Sequence, residues 1–136
     1  MSVTTYAQTS LATETPTRTE YRLFAEITGD LVRADKHPEA HQDRVNALFR
    51  NSQLWLALEA DLVSPENKLD IELKAGLISL AIWVKKFTSG AMQSKIGLEP
   101  LVSVNRQIMD GLKTSEQNSR LAMQNTPIAD YSQLQA

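Results

Sequence analysis

The 136-residue chain is of single-domain size, and with 42 % hydrophobic residues it can bury a core without metal or disulfide staples. A formal net charge of −2 argues against a general polyanion binder, whose footprint is normally a basic domain or stripe. Cysteine is absent, which removes disulfides, thiolate metal sites and cysteine nucleophiles and suits a reducing compartment such as the cytoplasm.

The opening stretch, MSVTTYAQTSLATETP, has neither a basic leader nor an apolar core, so it does not read as a secretory signal. Thr15-Pro16 places a capping hydroxyl before a proline at a first helical position. From Thr17 to about Ala34, Tyr21, Leu23, Phe24, Ile27, Leu31 and Val32 then share one wide face, with Arg22, Glu26, Asp30 and Arg33 opposite. After a break at Lys36-His37-Pro38, a second amphipathic helix is expected from Glu39 to Val63. Its apolar face would carry Val45, Leu48, Phe49, Trp55, Leu56, Leu58 and Leu62.

A third helix is expected from Glu66, after Ser64-Pro65, to Thr88, with Ser89-Gly90 as its stop. It contains LKAGLISLAIWVKKF, which has two apolar seams. Ile71, Ala75, Ile78 and Ile82 form one. Leu73, Leu77, Leu80, Val84 and Phe87 form the other, with Trp83 on its flank. The apolar run Ala75 to Val84 ends at Lys85-Lys86, far short of the roughly 20 residues that a membrane span needs. Two seams imply neighbours on two sides. The Ile71 seam, narrow and bearing an alanine, is expected to pack inside the domain. The broader Leu73 seam is expected to form a groove for a partner.

A fourth helix is expected from Pro100 to Leu112, with Leu101, Val104, Ile108, Met109 and Leu112 buried and Asn105 in their midst. From Thr114 the chain is rich in Ser, Gln and Asn. It reads as a polar, disordered tail over residues 114–136, after a helical domain over 1–113, in which Ile128, Tyr131 and Leu134 form a short apolar cluster. The fold class is therefore all-α, a small bundle of about four main helices with a disordered C-terminal tail.

Chemistry-bearing patterns are sparse. His37 and His41 have a metal-pair spacing, but Pro38 sets His37 at a helix start and no third ligand follows, so no metal is expected. Asp70 with Lys74, and Lys68 with Glu72, read as surface pairs. No glycine-rich phosphate loop, G-x-S-x-G or H-E-x-x-H occurs, so neither catalysis nor a cofactor is expected. Trp55 and Trp83 read first as core packing and second as partner contacts. Asn105 reads first as a core amide and second as a group that pairs with a partner's backbone. Leu73, Leu77, Leu80, Trp83, Val84, Phe87, Trp55, Asn105 and Arg106 are the candidate partner-binding residues.

TETPTRTEYRLFAEIT (residues 13–28), LISLAIWVKKFTSG (77–90) and LEPLVSVNRQIMDGL (98–112) together resemble the FlaF family of flagellar-biosynthesis regulators. That resemblance implies a small, cytoplasmic, non-enzymatic protein needed for flagellin production. It would act beside a second regulator of the FlbT type, by binding flagellin before export or by supporting its translation. The alternative is direct control of flagellin messenger RNA. The segment from Trp83 to Lys113 holds five basic and two acidic residues, and Lys85, Lys86, Lys95, Arg106 and Lys113 would then contact phosphates.

Overall fold

The computed structural model describes residues 16–125, which form four α-helices and, among the described residues, no strand. They are α1 (Pro16–Lys36), α2 (His41–Leu62), α3 (Ile71–Gln93) and α4 (Glu99–Asn125). Proline opens α1, as its fixed φ and missing N–H favour. The Thr15 hydroxyl lies outside the described residues.

Two polar contacts fix the chain directions. Asp35 Oδ1, at the end of α1, accepts from the Leu98 N–H at the start of α4 at 3.0 Å. Arg44, in the first turn of α2, donates through Nη2 to the carbonyls of Ala91, Ser94 and Ile96 at 3.2, 3.1 and 2.8 Å. The end of α1, the start of α2, the end of α3 and the start of α4 therefore meet at one end of the bundle, and the helices alternate up and down. Arg44 is buried, so its guanidinium satisfies carbonyls at a helix end that would otherwise lack partners.

The core collects Phe24, Ile27 and Leu31 from α1, Leu48, Leu54 and Trp55 from α2, Ala81, Val84 and Ala91 from α3, and Leu98, Leu101 and Val102 around the start of α4. Phe24 meets Trp55 edge to face, with ring centroids 6.0 Å apart. Through the middle runs a buried polar chain. Trp55 Nε1 donates to Asn105 Oδ1 at 2.8 Å, and Asn105 Nδ2 donates to Thr28 Oγ1 at 3.1 Å and to Asn51 Oδ1 at 2.8 Å. An indole N–H can only donate, so it sets the orientation of the Asn105 amide. One residue of α4 thus ties α1 to α2.

Several boundaries differ from the sequence reading. α3 begins at Ile71 rather than Glu66, because Asn67 Oδ1 accepts from Leu69 N–H in a turn and Asp70 caps the helix through Glu72 N–H. It also runs through Ser89-Gly90 to Gln93, with Ser94 N–H closing on Gly90 O. α4 continues past the boundary expected at Lys113, since no proline or glycine stands between Leu112 and Pro127. Residues 114–125 are therefore helical. Ile128, Tyr131 and Leu134 lie outside the described residues.

The α2 face matches the expected one at Leu48, Trp55 and Leu62 and departs from it elsewhere. Arg44, Ala47, Asn51 and Leu54 point inward, whereas Phe49 and Leu56 are exposed. Two of the inward positions are polar, and hydrophobic periodicity does not see them.

Replacement of Asn105 by alanine strands the Trp55 N–H and the Asn51 carbonyl in a dry interior. The expected loss is on the order of 3 kcal/mol in urea unfolding, against less than about 0.5 kcal/mol for Ser103→Ala on the exposed side of the same helix.

Candidate partner-binding face

α1 packs against α4 and α2, and α2 packs against α3, but α3 meets α4 only sparsely. α3 is thus a peripheral helix that leans on α2. Its inward line is made of small and medium residues, Ala81, Val84, Thr88 and Ala91, which permit close approach. Lys85 Nζ, 2.8 Å from Glu59 Oε1, binds its edge to α2.

This placement reverses the expected roles of the two seams. In the Leu73 seam, Val84 is buried and Leu80 and Phe87 pack against the core, so that seam supplies the internal contact. In the Ile71 seam, Ile71 is 78 % and Ile82 45 % exposed, Ala75 is exposed and Ile78 is half-buried. The reason is steric: the small residues that admit α2 lie closer to the Val84 line, and the β-branched isoleucines are left outside.

The candidate residues accordingly separate. Trp55 and Asn105 are buried and bonded to each other, and Val84 is 1 % exposed; all three are core groups rather than contact groups. Leu73, at 51 %, and Trp83, at 36 %, reach the surface. Leu77, Leu80 and Phe87 are half-buried beside them, and Trp83 lies against Phe87 with ring centroids 5.2 Å apart. Arg106 is exposed on α4. Leu73, Leu77, Leu80, Trp83 and Phe87 thus give α3 a partly exposed apolar flank.

A second apolar strip follows the α2–α3 seam on the outside. Leu56 and Val63 share the helix face of Glu59, and Ile78 and Ile82 share that of Lys85. Leu56, Val63 and Ile82 are all exposed. Sequence reading missed Leu56 by assigning it to the core, and Val63 by treating it as a helix end.

The remaining concavities have another character. A cleft of about 660 Å³ between α1 and α2 is lined by Asp30, Arg33, His37, Glu39, Asp43 and Arg50, and its arginines are paired: Arg50 spans Glu26 and Asp30, and Arg33 also meets Asp30. His37 sits in the connection before α2, with Nδ1 3.4 Å from Glu39 Oε1. Among the described residues no group of three or more His, Asp or Glu side chains is placed to hold a metal ion, and no helix is long and apolar enough to cross a membrane.

Burial, and secondarily the charge of Asp61, raises the pKa of Glu20 above its ordinary value.

The described residues thus form a helical scaffold with large apolar side chains exposed on α2 and α3. Residues 2–112 match the family model described as flagellar protein FlaF, and the chain belongs to that family. Neither the comparison with curated proteins nor that with solved structures returned a match.

Two measurements check this geometry. Leu80→Ala should lower unfolding free energy by about 2 kcal/mol and Ile82→Ala by less than about 1 kcal/mol, the reverse of the order expected if the isoleucine seam were internal. For Glu20, the folded chain holds its proton to higher pH than the unfolded chain does. Stability should therefore be greatest below the ordinary carboxylate range, fall as pH rises through the raised pKa, and level off above it. Glu20→Gln should melt higher than the parent at neutral pH and lose that advantage in acid.

Proposed function

We propose that this protein is a non-enzymatic, cytoplasmic chaperone or adaptor that binds flagellin before export and thereby supports its synthesis and secretion. Membership of a flagellar family supports the pathway. The observation that carries the binding mode is the exposure of Leu73 and Trp83 on α3, a helix that α4 meets only sparsely, with Trp83 lying against the half-buried Phe87. An amphipathic terminal segment of unpolymerised flagellin would lie there as an added helix, with Trp83 as its anchor and Arg106 at the rim. Covering roughly 300 Å² of apolar surface at about 25 cal/mol per Å² gives about 7 kcal/mol before association costs, compatible with micromolar affinity.

Action beside an FlbT-type regulator belongs to the same reading, with the effect on translation following from the pool of free flagellin. Direct contact with messenger RNA has less support. Of its five candidate phosphate ligands, Lys85 is engaged with Glu59, and the others are divided among α3, its following connection and α4.

Purified protein should capture unpolymerised flagellin with an affinity that changes little between low and moderate salt. Trp83→Ala should weaken capture at least about 10-fold without loss of helical signal. A gel shift with flagellin messenger leader that falls steeply with salt, in the absence of a flagellin complex, would overturn this reading in favour of RNA binding.

A further inference from the structure

We infer that the outward face of α3 is a homodimer interface, in which two copies pack α3 against α3, antiparallel, about a two-fold axis at Ser79. Trp83, four residues after Ser79, borders this face as well as the flank described above, but the inference does not depend on flagellin being the partner there.

The inference rests on the order of residues along one exposed line. Glu72, Ala75, Ser79, Ile82 and Lys86 follow one another at spacings of three, four, three and four, and all five are exposed. Such spacing keeps them on one stripe of the helix. Glu72 and Lys86 stand at equal distances on either side of Ser79. A two-fold axis at Ser79 that reverses the second helix therefore sets each Glu72 opposite the partner's Lys86, twice over. Neither side chain has an ion-pair partner among the described residues.

The apolar members match in the same register. Ala75 lies across from the partner's Ile82, so the exposed isoleucine fills the space left by a small side chain, and Ser79 meets its own copy at the closest approach. An isologous contact requires a surface complementary to itself, and the charges of this stripe reverse about Ser79, while Ala75 and Ile82, four and three residues from it, face one another with an offset of one residue. Ile71, the most exposed of the large apolar residues, extends the contact at each end. An elongated foreign helix would gain nothing from this symmetry about Ser79, whereas a second copy satisfies it throughout.

The chain has no cysteine, so Ser79→Cys introduces a single thiol. Under mild oxidation the full-length Ser79→Cys protein should become a disulfide-linked dimer, because helices in contact bring facing Cα atoms within disulfide range at a two-fold axis. Ser103→Cys, exposed on α4, should stay largely uncrosslinked. Sedimentation of the untagged chain should show a dimer that Ile82→Glu converts to monomer with its helical signal intact. Lys86→Glu and Glu72→Lys should each raise the dimer dissociation constant at least about 10-fold, and the double variant should return it to within about 3-fold of the parent. A parent that stays monomeric to several hundred micromolar, an Ile82→Glu dimer, or a double variant no tighter than the single ones would each overturn the inference.

Discussion

The carboxamide of Asn105 is the constraint on which the arrangement of helices depends. With no exposure to solvent, it has to be satisfied internally, and it is satisfied by residues of two other helices, Thr28 of α1 and Asn51 with Trp55 of α2. Apolar side chains tolerate sliding and small rotations of packed helices. Three directional bonds to one amide do not, so they fix the rotation and axial register of α1, α2 and α4 together. The cost is a sensitive centre, since the second donor of the cluster, Asn51 Nδ2, finds no partner among the described residues.

α3 contributes nothing to that amide cluster, and its position follows from this omission. It is held by the small-residue line against α2, by the Lys85–Glu59 pair and by Arg44 at its C-terminal end. Its N-terminal turns, from Ile71 to Gly76, are exposed apart from Lys74, whose Nζ reaches the carbonyl of Asn67 at 2.7 Å. The bundle therefore has a rigid unit of three helices and a fourth that is anchored chiefly at one end and along one side. Surfaces that change partners belong on such an element, because uncovering it leaves the polar cluster intact.

The legibility of the sequence followed the same division. α1 was readable because its apolar and charged faces are cleanly opposed, and Asn105 was identifiable as an amide on an apolar stripe. Its partners were not, since Thr28 and Asn51 look like ordinary polar residues until three helices converge on them. The inward turn of Arg44 was equally hidden, for it depends on where the carbonyls of Ala91, Ser94 and Ile96 end up. The seams of α3 were visible as two, but their roles were reversed. Periodicity measures how apolar a face is, whereas close packing selects for small volume, and Ala81 and Ala91 counted for little in a search for large hydrophobes. The family resemblance, carried by long strings within residues 2–112, survived these errors because it did not depend on assigning faces.

A helix that is apolar on most sides normally belongs at the centre of a core. Here it lies at the edge of one, and only a narrow line of it is needed to hold it there. The large side chains left over, Ile71, Leu73, Ile82 and Trp83, exceed what folding of the isolated chain uses. Exposed apolar residues scattered singly are ordinary on a protein surface, but these share one helix and fall on two distinct stripes of it. One stripe carries the Trp83–Phe87 aromatic pair. The other sets Glu72 and Lys86 seven residues to either side of Ser79. The composition of LKAGLISLAIWVKKF is thus divided between a line of small and medium residues that holds α3 in the fold and large exposed side chains that the fold of a single chain does not use.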